Sequence, residues 1–250
     1  MKIKNILVSQ PQPADFEKSP YGEIARKYNV QITFQKFFRI EGIPARDFRK
    51  DRVSILDFTA VIFNSRNAVD HYFRMCKEMR IEVPETMKYF CISESTAYYL
   101  QKYVQFRKRK IFHSKENFSM LLDLIKKHKT EKFLLPCSDI HKQEIPQLLE
   151  EHKVFYKKAV IYRTLANDLT GVDLTQYDMI VFFSPSGIKS LFKNFPDFRQ
   201  DNIIIGAFGS STAKAVKESG LLLGLEAPTE KAPSMTMAID QFLQSELKKK

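Results

Sequence analysis

The chain has no tryptophan and, in 250 residues, only 3 cysteines, 5 histidines and 8 glycines. Each scarcity removes a class of protein. Cys76, Cys91 and Cys137 are an odd set, far apart and without a CxxC, so no disulfide framework is expected. His71, His113, His128, His141 and His152 make neither an HxxxH pair nor a Cys/His cluster, and no metal is expected. The glycines are misplaced for nucleotide chemistry. The first apolar run, NILVSQPQP, contains none, which excludes a G-x-G-x-x-G turn, and no GxxxxGK[ST] occurs. FFSPSG, at 182–187, has the wrong spacing for a GxSxG nucleophile elbow. No carboxylate pair or Ser-His-Asp set stands out. An enzyme made from this chain would work mainly by holding a substrate in shape, with hydroxyls and backbone amides.

Long apolar runs are missing too; none approaches the ~18 residues that span a bilayer. The N-terminal MKIKNILVSQPQP starts basic, but its apolar part ends at Gln10 and Pro11, short of a secretory signal, so a cytoplasmic location is expected. Hydrophobic residues at 44% and charged residues at 28% suit a soluble globular protein. Positive charge is plentiful: 40 Lys+Arg against 29 Asp+Glu, a formal net of +11. Residues 41–164 hold 24 Lys+Arg against 16 Asp+Glu; the remainder holds 16 against 13, including the tail Lys248, Lys249 and Lys250. A basic middle predicts an anionic partner. Arg107-Lys108-Arg109-Lys110 is dense enough to raise nucleic acid, but no aromatic-interleaved motif accompanies it. A solvated turn entering a strand at Ile111 accounts for it, and neither nucleic acid nor a membrane is expected as a partner.

Short apolar runs alternate with amphipathic stretches, the rhythm of βα units and parallel sheets. The same unit occurs twice. AVIFNSRNAVDHYF (60–73) matches MIVFFSPSGIKSLF (179–192), each an apolar strand, a serine turn and a helix, with Ser65 opposite Ser184. YFCISESTAYYLQKY (89–103) matches IIIGAFGSSTAKAVKESG (203–220), with Thr96 opposite Thr212. IFHSKENFSMLLDLI (111–125) matches LEAPTEKAPSMTMAIDQF (225–242), with Ser119-Met120 opposite Ser234-Met235. An ordered triple is more telling than any one pair. KNILVSQP, a helix through Ala25 and VQITFQKFFRI then resemble KFLLPCSD, its helix and VFYKKAVIYRT, so one domain must combine the N-terminal segment with the C-terminal third. The predicted architecture is two Rossmann-like (flavodoxin-like) α/β domains with parallel sheets. The outer one covers 1–37 and 167–250, the inserted one 41–163, and crossings at 37–41 and 163–167 form a two-stranded β hinge.

Parallel α/β sheets take ligands beyond the carboxyl ends of their strands. The aligned serine and threonine turns lie there: Ser184-Pro185-Ser186-Gly187, Gly209-Ser210-Ser211-Thr212 and Pro228-Thr229 in one domain; Asn64-Ser65-Arg66, Ser93 to Thr96 and Ser114 in the other. Helix capping alone explains any single such turn. Several on one rim of two domains favour a cleft for carboxylates or phosphates.

FFSPSGI (182–188), IGAFGSSTAKAVKESG (205–220) and EAPTEKAPSMTMAI (226–239), with VIFNSRNAV (61–69) and VIYRT (160–164), resemble the uroporphyrinogen-III synthase family over essentially the whole chain. The resemblance implies a cofactor-free lyase of haem biosynthesis, acting as a monomer on hydroxymethylbilane, a linear tetrapyrrole with eight carboxylates. Loss of its hydroxyl as water gives a cationic azafulvene. Attack through the substituted carbon of ring D gives a spiro intermediate, which reopens and recloses with that ring inverted. The family's usual donor to the departing hydroxyl is a tyrosine in the second crossing, matched by Tyr162. Its carboxylate-holding turns are matched by Ser184, Ser186, Gly187, Ser211, Thr212 and Thr229, and by Ser65 and Thr96. The chain departs from the family pattern at Gln10, where many members have arginine, at CISEST, where a glycine is common, and at Ser138-Asp139, where Arg-Gly is frequent. These departures motivate an alternative: a non-catalytic tetrapyrrole- or anion-binding protein on the same scaffold.

Overall fold

The computed structural model describes residues 3–114, 118–140 and 143–248; His141, Lys249 and Lys250, named above, lie outside them. Strands form where apolar and β-branched residues run together. They are β1 (Asn5–Val8), β2 (Gln31–Phe34), β3 (Phe38–Gly42), β4 (Ala60–Phe63), β5 (Lys88–Cys91), β6 (Ile111–His113), β7 (Phe133–Ser138), β8 (Tyr156–Ala166), β9 (Met179–Phe182), β10 (Ile204–Phe208) and β11 (Leu223–Ala227). The helices are α1 (Pro20–Tyr28), α2 (Ala45–Phe48), α3 (Arg66–Glu78), α4 (Glu94–Leu100), α5 (Phe118–Lys127), α6 (Glu144–Glu151), α7 (Pro185–Asn194), α8 (Ser210–Glu218) and α9 (Met235–Lys248). Among the described residues no helix is long and apolar enough to cross a membrane.

By internal contacts the chain divides into two compact units, Met1–Arg39 with Leu165–Lys250, and Ile40–Thr164. One sheet has the order β11-β10-β9-β1-β2, with every pairing parallel. The other has the order β3-β8-β7-β4-β5-β6, parallel from β8 to β6. Set β3 aside and the sheets superimpose in order: β1 stands where β7 does, β2 where β8 does, and β9, β10 and β11 where β4, β5 and β6 do. The segments paired in the sequence repeat therefore occupy equivalent places in their sheets.

Parallel strands covered on both faces read as continuous apolar runs, and β4, β7 and β9 are buried at every residue. Separate cores flank each sheet. In the second unit one gathers Phe63, Tyr72, Met75, Tyr89 and Tyr162, and the other Ile62, Phe90, Leu121 and Phe133. In the first, Leu7, Phe37, Ile180 and Phe182 form one core, and Ile6, Val8, Val181 and Ile239 the other.

VQITFQKFFRI reads as one strand in the sequence but breaks at residues 35–37. Phe37 accounts for the break: it is fully buried and meets Phe182 edge-on at 5.4 Å, which turns the backbone out of the β2 line. The chain resumes as β3 beside β8. There the Ile43 N–H donates to the Ile161 carbonyl and the Asn167 N–H to the Phe37 carbonyl, so the two strands are antiparallel. Arg107 pairs with Glu85 at 3.4 Å, and the Lys110 ammonium donates to the Glu85 carbonyl, which ties the basic turn to its neighbouring loop.

Candidate active site

In the Ile40–Thr164 unit the best-built rim lies where β4 runs into α3. Ser65 has extended backbone and caps α3, its hydroxyl accepting from the Ala68 N–H at 3.2 Å. Such a cap is worth about 1 kcal/mol. The same Oγ lies 3.5 Å from the Tyr162 hydroxyl, brought there by β8. Tyr162 is 6% exposed and its ring stacks on His71 at 4.9 Å with an 18° tilt. Burial raises the phenol above its usual pKa of 10, opposed in part by the Ser65 hydroxyl. The phenol therefore keeps its proton at neutral pH and stands ready as a donor. Beside Ser65, the buried Asn64 Oδ1 has no hydrogen-bond partner among the described residues.

The turn after β5 is different. Ser93, not Thr96, caps α4, accepting from the Thr96 N–H at 3.3 Å. Thr96 is buried, its hydroxyl 3.1 Å from that of Ser93. After β7 the buried Ser138 donates to Asp139 at 2.8 Å, and the same carboxylate oxygen accepts the N–H groups of Ile140 and Thr164. That oxygen is held by its own turn and by β8. Ser114 donates to the Ile92 carbonyl, so its hydroxyl proton serves the loop.

In the Met1–Arg39 and Leu165–Lys250 unit, Ser184 sits before Pro185 at the start of α7, but its hydroxyl caps nothing. The Gly187 N–H bonds the Ser184 backbone carbonyl at 3.0 Å instead. Ser184 Oγ is buried without a partner among the described residues, at the position equivalent to Ser65. Gly187 is closely packed: a Cβ there would lie 3.0 Å from the Phe182 ring, so the ring would have to give by a few tenths of an ångström to admit it. Ser186 is half-buried in the first turn of α7.

At the next turn Gly209, with φ of 87°, opens α8 and donates its N–H to the Ala227 carbonyl. An added Cβ would meet nothing within 4 Å, so only the backbone demands glycine. Gly209→Ala is expected to lower stability by about 1–3 kcal/mol, the cost to an L-residue of a positive-φ extended backbone almost confined to glycine. Urea unfolding reads this directly, and an unchanged midpoint would contradict the assigned conformation. Ser211 is exposed in the first turn of α8, whereas Thr212 is 1% exposed and turned inward. Thr229 is exposed after a cis Ala227–Pro228 bond, its hydroxyl accepting from the Ala232 N–H at 3.0 Å.

Within each unit, then, fold and rim define a parallel α/β protein whose hydroxyl-bearing turns stand at the carboxyl ends of equivalent strands, where this class holds its ligands. The family model described as uroporphyrinogen-III synthase HemD matches residues 21–237. The chain belongs to the uroporphyrinogen-III synthase family, lyases of tetrapyrrole biosynthesis. A mutant uroporphyrinogen III synthase from the extremely thermophilic bacterium Thermus thermophilus is 14% identical with a TM-score of 0.63, over 99% of this chain and 100% of that one. The Helicobacter pylori 26695 uroporphyrinogen-III synthetase is 18% identical with a TM-score of 0.61, over 97% and 100%. At these identities the likeness is one of fold. No curated protein sequence matches the chain.

Proposed function

We propose that this chain closes hydroxymethylbilane to uroporphyrinogen III with Tyr162 as donor to the departing hydroxyl, and with its rim turns holding the substrate's carboxylates. The observation that carries this reading is the pairing of Tyr162 with Ser65. A neutral, buried phenol whose hydroxyl lies 3.5 Å from a helix-capping serine has few partners to give up when a substrate oxygen arrives. The phenol passes its proton to that oxygen as the bond to carbon breaks, so water leaves and the azafulvene cation forms; the tyrosinate takes back a proton when the closed ring loses one on re-aromatising. What remains is conformational. Ring D must be held so that attack through its substituted carbon outruns direct closure, and each tenfold preference needs only about 1.4 kcal/mol.

Ser65 and Thr96 in one unit, and Ser184, Ser186, Gly187, Ser211, Thr212 and Thr229 in the other, are proposed to hold carboxylates. The positive ends of α3, α7 and α8 support this role. Because Thr96 and Thr212 are buried, they act through the backbone of their turns and not through an open hydroxyl. The units are read as flavodoxin-like domains, 1–37 with 167–250 and 41–163, with β3 and β8 as hinge. The first sheet has the order 2-1-3-4-5 in chain order; the second, β3 aside, runs 3-2-1-4-5 and matches the first only as a circular permutation that takes β7 and β8 before β4, β5 and β6. A cytoplasmic monomer acting without nucleic acid completes the proposal.

One substitution separates binding from folding. Ser211→Asp places a negative charge in the first turn of α8, which favours the helix by about 0.3–1 kcal/mol. The same charge opposes an incoming carboxylate, and affinity for the stable octacarboxylate uroporphyrin III is expected to fall about tenfold or more. Fluorescence titration beside thermal unfolding reads both effects. Undiminished affinity would remove that turn from the proposed binding set.

A further inference from the structure

The chain spends an arginine and a histidine on the residue proposed as donor. Arg74, on α3, has its side chain 27% exposed and donates from all three guanidinium nitrogens. Nε donates to His71 Nδ1 at 3.1 Å; Nη2 donates to the Ile161 carbonyl at 2.8 Å and to the Ile43 carbonyl at 3.0 Å; Nη1 donates to Glu78. Glu78 in turn accepts the Ala45 N–H at 3.1 Å. One planar group thus fixes the peptide immediately before Tyr162 and the imidazole stacked on its ring. A lysine has a single nitrogen and cannot hold these places together. Because His71 Nδ1 accepts, its proton sits on Nε2 and the ring is neutral. Burial, and then the Arg74 charge, lower the His71 pKa in the same sense.

Gly42 shows how tightly this fork is seated. A Cβ there would fall 2.6 Å from Arg74 Cζ and 2.7 Å from Nε. Arginine side chains ordinarily swing away from such a contact. Here swinging away breaks the bonds to His71, Ile43 and Ile161.

We propose that His71, held by Arg74 across Gly42, is a positioning residue for Tyr162, setting the phenol where it meets the leaving hydroxyl. The inference rests on the reading of Tyr162 as the donor. Tyr162, His71, Arg74 and Gly42 come from three separate stretches, and all lie in the Ile40–Thr164 unit.

The test is a double-mutant cycle on the full chain with hydroxymethylbilane. His71→Ala and Gly42→Ala are each expected to lower kcat about 10–100-fold with KM nearly unchanged, as displacement of a reacting group does. In the Tyr162→Phe background the same substitutions are expected to change kcat less than about twofold, because the position they set no longer carries the proton. Losses that simply add would overturn the proposal. A second readout needs no turnover. With tyrosine labelled at Cζ, the Tyr162 resonance, assigned by its loss in Tyr162→Phe, is expected to move in Gly42→Ala and in Arg74→Lys, where His71 and Tyr162 are both intact. If Tyr162→Phe turns over at the wild-type rate, the donor reading fails while a moved resonance still supports the positioning. A resonance unmoved in both folded variants would overturn the positioning itself.

Discussion

Tyr162→Phe is expected to lower kcat for ring closure by about 10²–10⁴, the range that positioned proton donors contribute. Folding should be nearly unaffected. Among the described residues the phenol oxygen's hydrogen-bond contact is Ser65 at 3.5 Å, and losing one such neutral bond costs about 0.5–1.5 kcal/mol at most. The ring stays, and with it the stack on His71 and the burial against the α3 face of the sheet. The large effect on rate and the small one on stability separate a chemical role from a packing role. A tyrosine present only to fill space would behave as phenylalanine does, with wild-type turnover. Thermal unfolding of both proteins, beside initial rates at saturating substrate, settles which it is.

Phe63→Ala is expected to have the largest effect on stability, about 3–5 kcal/mol. Phe63 closes β4 and is fully buried. It meets Tyr72 edge-on at 5.5 Å, lies nearly parallel to Tyr89 at 6.0 Å, and touches Phe73 at 6.4 Å. Such aromatic pairs add about 0.5–1.5 kcal/mol each beyond area burial. Removing the ring leaves a cavity one residue before the Asn64-Ser65 turn, so activity should fall with stability. Ile62 offers the contrast: it points to the opposite core, and Ile62→Val should cost only about 0.5–1.5 kcal/mol. Urea denaturation of the two variants checks the order; equal midpoints would mean that the aromatic cluster adds little.

The parallel sheets were legible because buried parallel strands advertise themselves. AVIF and MIVF have no polar position to mislead the eye, and the serines after them mark where each helix begins. The strand break before Phe38 was not legible. FQKFF carries no glycine or proline, and the break comes from Phe37 turning into its core, a tertiary cause. The rim was legible as a set of residue types and illegible as a set of orientations. Ser65 and Ser184 align in sequence, yet one hydroxyl caps its helix and the other has no partner among the described residues, because the Gly187 N–H goes to a carbonyl. Thr96 and Thr212 match carboxylate-holding turns in the sequence, which does not reveal that both are buried. His71 and Arg74 were missed altogether. One signal existed: they stand three apart, on neighbouring turns of α3, beside the buried stripe of Ala68, Val69, Tyr72, Met75 and Cys76. Their partners Gly42 and Tyr162 lie too far along the chain for spacing to connect them.

The identity of the macrocycle released decides whether this chain turns the last ring. Freshly prepared hydroxymethylbilane, incubated with the purified chain and oxidised before separation of the porphyrin isomers, is predicted to yield chiefly isomer III, faster than the substrate closes unaided. Isomer I alone, at the spontaneous rate, would contradict the account and leave a protein that holds a tetrapyrrole without turning its last ring.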